Sequence, residues 1–225
     1  MDKNTERRHY FNQVFVARYV RIHPTAWNKR SSMRVGLIGC PHKGDCGQRF
    51  FRVYEDSECV ENLAYKRKTW INDKRQSWAE WKYGHSSLAV DGDLDTQLEK
   101  CAILDNYYVD KPVWMVDLGN KRMVRGVIVV TWQGKGQDRA NLYRKYVYNL
   151  ENLTVYVQDK ARLDDASTDS SCASVSRQNN AIFQQRLHFE CSQIQNGRYV
   201  YIHASGIANT WNRLFSAVLC EVMVY

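Results

Sequence analysis

The sequence lacks the signals of several large protein classes. No apolar run approaches the roughly 18 residues of a membrane span, and the polar segment 1–13 contains no apolar core of an export signal. There is also no G-x-S-x-G elbow, no H-E-x-x-H pair and no phosphate-binding loop, and the six histidines are scattered without metal-ligand spacing. We therefore expect neither an enzyme nor a transmembrane segment in this chain.

Cysteine is present, but no C-x-x-C pair occurs among the seven. Their spacing suits disulfides better than a metal site, which indicates an oxidising compartment. We therefore predict an extracellular location, either as a secreted protein or as part of the ectodomain of a larger membrane protein. Cys46 and Cys59 flank the β-rich run 50–54 and are the natural local pair to close a short hairpin, the alternative being two free thiols.

Short β-rich runs cover most of the chain after residue 60. They comprise residues 113–118, 124–131, 153–157, 182–189, 198–203 and 217–224. Turn signals such as Gly119-Asn120 and Asn196-Gly197 separate them, and no long amphipathic helix competes. This pattern predicts an all-β fold, an antiparallel jelly-roll β-sandwich.

The net charge of +8 suggests acidic partners. Basic clusters occur at residues 66–68, 74–75 and 121–122, and they suit sulfated or sialylated glycans or an anionic phospholipid surface. The alternative is an ordinary solvated face. Nucleic acid is not an expected partner, because the sequence contains no recognisable reading module.

Residues 17–27 (ARYVRIHPTAW) and 34–40 (RVGLIGC) resemble the closing strands of a discoidin domain, the C-type domain of coagulation factors V and VIII. Residues 14–22 form an extended β-branched and aromatic run. Only about two strands fit before Cys40, too few to be stable alone. Residues 1–40 are therefore predicted to be the truncated C-terminal part of a discoidin-like domain, and 41–59 a cysteine-containing linker. In that family the counterpart of Cys40 pairs with a cysteine near the domain start, so we expect Cys40 to lack a partner here.

Residues 60–225 resemble an F-type lectin domain, of the fucolectin and tachylectin kind. The motifs that carry this resemblance are residues 61–64 (ENLA), 89–93 (AVDGD), 114–119 (WMVDLG), 198–202 (RYVYI) and 219–225 (LCEVMVY). They occur in the family's order and approximate spacing. The resemblance implies disulfides between Cys101 and Cys220 and between Cys172 and Cys191.

The same resemblance implies a bound Ca²⁺ ion, because the first of these bridges would bring Glu221 beside the 91–93 turn. Calcium takes six to eight oxygen ligands, carboxylates and carbonyls together. The implied ligands are the carboxylates of Asp91 and Glu221 and the backbone carbonyls of Leu88, Asp93, Lys100 and Cys220. Lys100 departs from the family, which usually has a small hydroxyl residue there, and its ammonium opposes a cation. The alternative is that Asp91-Gly92 forms only a tight turn and Glu221 is a solvated charge.

The sugar site of the resembled family is incomplete in this sequence. F-type lectins hold fucose with a histidine just after the first bridging cysteine and with two arginines in an R-x-D-x4-R loop. Here Ile103 stands near the histidine position, and Trp132 or Gln133 stands where the first arginine is expected. We predict a degenerate fucose site whose remaining ligand-binding residues are Trp132, Asp138, Arg139 and Arg144. The alternative is that Trp132 is core and that the arginines form a solvated rim.

The predicted function is a non-catalytic extracellular recognition module. We expect a calcium-stabilised, lectin-like domain of an adhesion or pattern-recognition protein, with a glycan or glycoprotein as ligand. Two alternatives remain open at this point: an architectural spacer that binds no ligand, and an accessory carbohydrate-binding domain of a larger enzyme.

Overall fold

The computed structural model describes residues 8, 9, 19–27, 29, 33–38, 44–72, 84–105, 109, 111–132, 150–161, 171–176, 185–206 and 216–225. The chain divides into two compact units, residues 1–45 and 46–225. In the first unit the described residues contain no strand or helix, and the large apolar residues among them are exposed. Residues 19–22 therefore lie outside any strand, unlike the extended run predicted over 14–22. Cys40 lies outside the described residues.

The second unit begins with a disulfide-closed hairpin. Strands β1 (Phe50–Arg52) and β2 (Cys59–Glu61) pair antiparallel, and Cys46 is bonded to Cys59. Phe51 and Val53 are buried in an apolar cluster with Ile128 and Val130 of the same unit. Segment 46–59, predicted as a linker, is therefore part of the second unit, which starts before the predicted domain boundary at residue 60.

Seven further strands form a continuous antiparallel sheet. They are β3 (Lys68–Ile71), β4 (Ala102–Asp105), β5 (Val113–Thr131), β6 (Leu150–Gln158), β7 (Ala173–Ser176), β8 (Arg186–Gly206) and β9 (Ser216–Val224). Two short 3-10 helices, Ser86–Val90 and Leu98–Lys100, lie between β3 and β4. Among the described residues there is no helix that could span a membrane.

The pairing register divides this sheet into two layers. The first half of β5 pairs with β3 and with the second half of β8, which also pairs with β6, and β6 pairs with β7. The second half of β5 pairs with β9 and with the first half of β8, and β9 pairs with β4. Apolar side chains from both layers, such as Trp114 and Val200 in one and Val127 and Phe189 in the other, form one buried cluster. The predicted antiparallel sandwich is confirmed.

The two long strands differ from the prediction. Gly119-Asn120 lies inside β5 and Asn196-Gly197 lies inside β8, although both pairs were predicted as turns between separate strands. The register between β5 and β8 shifts between the Asp117 and Arg122 pairs and again between the Val124 and Gly126 pairs. Gly119 has a φ of +86°, which glycine adopts without steric cost. These signals therefore mark irregularities where the long strands pass from one layer to the other.

Candidate functional site

The disulfide Cys101–Cys220 joins two distant parts of the chain next to the predicted calcium site. It spans 119 residues of sequence, and both cysteines are fully buried. Cys101 follows the 3-10 helix that ends at Lys100, and Cys220 precedes Glu221 in β9. The third disulfide joins Cys172 to Cys191. All three pairs in the structure are those expected from the sequence.

Glu221 is a buried carboxylate beside the 91–93 turn. The residue is 1% exposed, and its Oε2 accepts a hydrogen bond from the Gly92 backbone N–H at 3.2 Å. Gly92 has a φ of +88°, and a Cβ there would lie 2.7 Å from the Tyr65 ring, so the turn requires glycine. Burial raises the pKa of Glu221 to about 9, with smaller contributions from Asp91 and Asp93 in the same direction. A buried carboxylate in this setting needs either a proton or a cation.

The acidic loop that faces Glu221 is built from three successive side-chain turns. Asp91 Oδ1 accepts from the Asp93 N–H at 2.8 Å, Asp93 Oδ1 accepts from the Asp95 N–H at 2.9 Å, and Asp95 Oδ1 accepts from the Gln97 N–H at 3.1 Å. Each carboxylate thus fixes the backbone two residues further on. The predicted tight turn exists, whereas the alternative of Glu221 as a solvated charge is wrong, because that side chain is buried.

Lys100 binds the far side of this loop. Its Nζ lies 2.9 Å from Asp93 Oδ2 and 3.1 Å from Asp95 Oδ2. The hydrogen bond from Lys100 is the main reason that the pKa of Asp93 is lowered. The ammonium therefore pairs with Asp93 and Asp95, whose side chains are not part of the predicted ligand set. Within the described part of the chain, no hydrogen bond or ion pair joins it to Glu221.

The donor chemistry of this site fits calcium. Among the described residues no group of three or more His, Cys, Asp or Glu side chains is placed to hold a metal ion. The predicted set needs only the carboxylates of Asp91 and Glu221, and backbone carbonyls supply its other ligands. Glu221 is buried and has no cationic partner within the described ranges, while hard carboxylate and carbonyl oxygens are the ligands that Ca²⁺ prefers. Calcium binding itself stays a prediction.

Without a cation, the raised pKa of Glu221 makes stability depend on pH. A group whose folded pKa of about 9 exceeds its unfolded value near 4.5 stabilises the fold below the unfolded pKa, and this stability is lost as the pH rises through the folded pKa. In chelator, we expect the free energy of unfolding to fall by an amount on the order of 5 kcal/mol between about pH 5 and pH 9.

Urea unfolding at a series of pH values checks this expectation. Glu221→Gln, which resembles the protonated side chain, should remove most of the pH dependence, whereas Glu151→Gln in β6 should retain it. Equal pH profiles for the wild type and Glu221→Gln would contradict the prediction.

Asn62 is a further residue of this site that the sequence analysis did not assign. Its Oδ1 accepts hydrogen bonds from the backbone N–H groups of Ala64 and Val224, at 3.0 and 3.1 Å. Its Nδ2 lies 3.5 Å from Glu221 Oε1, which gives a long hydrogen bond. Asn62 is 5% exposed and fixes the end of β9 near Glu221. Asn62 belongs to the motif at residues 61–64, but the spacing of the motifs alone did not indicate its contacts with Glu221 and Val224.

The predicted sugar site is only partly within the described residues. Asp138, Arg139 and Arg144 lie outside them. Trp132 is 7% exposed and belongs to the apolar cluster that contains Cys101 and Cys220. This burial does not favour its predicted role in ligand binding and matches the alternative of a core residue.

Ile103, at the position expected for the family's histidine, is 3% exposed in β4. Its backbone N–H donates to the Gly84 carbonyl at 3.2 Å, and a Cβ at Gly84 would lie 3.1 Å from Ile103 Cβ. The side chain therefore packs closely against another segment and offers no polar donor to a ligand.

Comparison with known proteins finds partial similarity to proteins that carry discoidin domains and to a fucolectin. No protein-family model matches the chain. Over 40 residues it is 48% identical to lactadherin from Bos taurus, and over 155 residues it is 23% identical to coagulation factor V from Pseudonaja textilis. These matches cover 18% and 65% of this chain but only 9% and 10% of the relatives. Both relatives carry discoidin domains.

A fucolectin from Morone saxatilis serum resembles the structure with a TM-score of 0.49 and 17% identity, over 72% of this chain and 47% of the fucolectin. The predicted resemblance to discoidin and F-type lectin domains is confirmed. The chain spans about a tenth of the length of these two curated relatives, so their activities as whole proteins are not transferred to it.

Proposed function

We propose that this chain is a non-catalytic extracellular recognition module of the kind found in adhesion or pattern-recognition proteins, in which Ca²⁺ fixes the loop at residues 91–95. The observation that carries the proposal is the buried Glu221 carboxylate, which lies near Asp91 and has no cationic partner among the residues that the structure describes. The disulfides add support, because such bridges persist in oxidising compartments.

In this proposal the ion would be held by Asp91 and Glu221 together with backbone carbonyls of the adjoining turn and of β9. When bound, it would supply the positive charge that allows Glu221 to stay ionised while buried. Gly92 positions Glu221 through its N–H, and Lys100 pairs with Asp93 and Asp95. These residues hold the loop in a fixed shape, and a fixed loop presents ligand-binding groups at a lower entropic cost.

Glycan recognition is tested directly on a glycan array, followed by calorimetry with free fucose. We expect the array to show binding to at least one glycan class but calorimetry to show no measurable fucose binding. Ile103 supplies no donor for a sugar hydroxyl, and an unsatisfied polar group costs about 1–3 kcal/mol, enough to abolish a weak lectin affinity. Millimolar or tighter fucose binding that is lost in Arg144→Ala would contradict the predicted degenerate site. An array without any binding would contradict the recognition function and favour a spacer.

A further inference from the structure

Where the β1–β2 hairpin meets β8, the structure brings together an arginine, an exposed aromatic ring and a carboxylate. Arg186, His188 and Glu190 alternate along β8 with the buried residues Leu187 and Phe189, so they project from the outer face of the sheet. From residue 186 to residue 190 this face extends about 13 Å, which leaves room for more than one sugar ring. None of these three residues belongs to the motifs of the predicted calcium or fucose sites.

The cation of this face has no acidic partner within the described part of the chain. Arg186 Nη2 donates to the Arg52 carbonyl at 2.5 Å, and no carboxylate there pairs with Arg186. A guanidinium has five N–H donors in a planar fork, so most of them remain free to bind an anion. The residue stays exposed although its guanidinium packs against the hairpin, and this partial burial lowers its pKa. A partly desolvated arginine with free donors binds a carboxylate or sulfate more strongly than a fully solvated one does.

The aromatic part of this face is the pair Tyr54 and His188. Their rings stack with centroids 5.6 Å apart and planes 19° from parallel. Tyr54 is nevertheless 57% exposed, so the ring surface turned away from His188 faces solvent. The Tyr54 hydroxyl donates to Glu190 Oε2 at 3.3 Å, which holds the ring in place and leaves Glu190 Oε1 free to accept from a ligand hydroxyl.

We propose that Arg186, Tyr54 and Glu190 form a binding site for an acidic sugar, that is, a pyranose that carries one negatively charged group. Arg186 binds the acidic group, the exposed face of Tyr54 packs against the apolar C–H face of the ring, and Glu190 accepts hydrogen bonds from its hydroxyls. This inference rests on the proposed recognition function and names its ligand class.

The same groups argue against two other anionic partners. A phosphopeptide brings a dianion that is usually held by a cluster of arginines, whereas here Glu190 would repel a second negative charge. A membrane surface requires several exposed apolar side chains beside the cation, whereas between residues 186 and 190 only polar side chains are exposed and Leu187 and Phe189 are buried.

The test is calorimetric titration of the full chain with three related probes: 3′-sialyllactose, 3′-sulfated lactose and neutral lactose. We expect at least one acidic probe to bind roughly tenfold or more tightly than lactose, the gain typical of a charge-assisted hydrogen bond. Stronger binding of sialyllactose would assign the acidic group as a carboxylate, and stronger binding of the sulfated probe would assign it as a sulfate. Equal binding of all three probes, or no binding of either acidic probe, would overturn the proposal.

Matched variants locate the site. Arg186→Ala and Tyr54→Ala should each weaken binding of the acidic probe by roughly tenfold. Arg125→Ala, which removes the same charge from an exposed position of β5, should leave it unchanged. Arg186→Lys keeps the charge but not the planar fork of donors, so its affinity should lie between those of the wild type and Arg186→Ala. This variant tests the site even if Arg186→Ala perturbs the hairpin. Equal losses in Arg125→Ala and Arg186→Ala would overturn the site.

The glycan array distinguishes failure of the acidic-sugar site from failure of the proposed recognition function. Glycan binding that is retained in full by Arg186→Ala would overturn this site and leave the proposed recognition function intact. An array that shows no binding for the wild type would overturn the recognition function itself.

Discussion

Millimolar Ca²⁺ is expected to raise the melting temperature of this chain by roughly 5–10 °C over its value in chelator. A ligand that binds only the folded state stabilises it by about 2.7 kcal/mol at a hundredfold excess over its dissociation constant. For a domain of this size, 1 kcal/mol corresponds to about 2–4 °C. Calorimetric melting curves at neutral pH, with calcium and with chelator, give the measurement.

The physical reason is the position of Glu221. Its side chain is buried, and the only hydrogen bonds that the structure gives it from described residues come from Gly92 and, at 3.5 Å, from Asn62. The pKa of Glu221 is raised to about 9, so the calcium-free fold must keep a proton on it at neutral pH. A divalent cation would replace this proton and also neutralise Asp91, so we expect a larger gain than an ion at an exposed pair would give.

Three variants make this prediction specific. Glu221→Gln should melt at the same temperature with calcium and with chelator, because the amide needs no cation. Asp91→Asn should lose most of the calcium response. Asp95→Asn serves as the matched control, since this side chain pairs with Lys100 and is absent from the predicted ligand set. An unchanged wild-type melting curve, or a calcium response that persists in Glu221→Gln, would contradict the calcium proposal.

For the predicted calcium site, the sequence indicated those features that depend on residue type and on the order of the motifs. The 89–93 and 219–225 motifs indicated Asp91 and Glu221, and the order of the cysteines within the resemblance indicated their pairing. The burial of Glu221 could not be predicted, because it depends on how β9 packs against a loop more than a hundred residues earlier. The contact of Lys100 with Asp93 and Asp95 is local, but it depends on the backbone path of the 91–97 loop, which residue types alone do not give. From the sequence, the ammonium of Lys100 was expected to oppose a bound cation. In the structure it forms ion pairs with Asp93 and Asp95.

The difference between local and long-range information also explains why β5 was predicted as two separate strands. The β-rich composition of residues 113–118 and 124–131 correctly indicated β-structure, but the Gly119-Asn120 pair between them has the local signature of a turn. Only the register with β8 shows that β5 continues through this point, since β8 pairs with it on both sides of the irregularity. Local sequence does not distinguish a bend within a long strand from a hairpin turn, because glycine serves both.

Arg186, Tyr54 and Glu190 show the limit of sequence reasoning most clearly. Tyr54 and Glu190 are separated by 136 residues, and no motif joins them. Their meeting depends on the hairpin at residues 46–61 packing over the outer face of the second layer, through Phe51, Val53 and Ile128. Residues 41–59 are predicted from the sequence to be a linker, so the sequence alone gives no indication of a ligand site there.

Removal of the Cys101–Cys220 disulfide is expected to be the most destabilising of the possible disulfide deletions. In the chain-entropy treatment, closing a loop of 119 residues is worth about 5 kcal/mol, whereas the 19-residue loop of Cys172–Cys191 is worth about 3 kcal/mol. The double variant Cys101→Ala/Cys220→Ala should therefore melt roughly 10–20 °C below the wild type. Cys172→Ala/Cys191→Ala should lose less, and calorimetry of the two double variants gives the comparison.

The calcium response of these variants provides a second, independent measurement. Cys101 adjoins Lys100 and Cys220 adjoins Glu221, so their disulfide fixes the two chain segments that would share the ion. Loss of this bridge should lower the apparent calcium affinity as well as the melting temperature, whereas loss of Cys172–Cys191 should lower the melting temperature alone. If both double variants kept the wild-type calcium affinity, the bridge would stabilise the sandwich without organising the loop. If Cys172→Ala/Cys191→Ala were the less stable variant, chain entropy would not be the main contribution of these disulfides, and native packing around Cys172 would have to account for the difference.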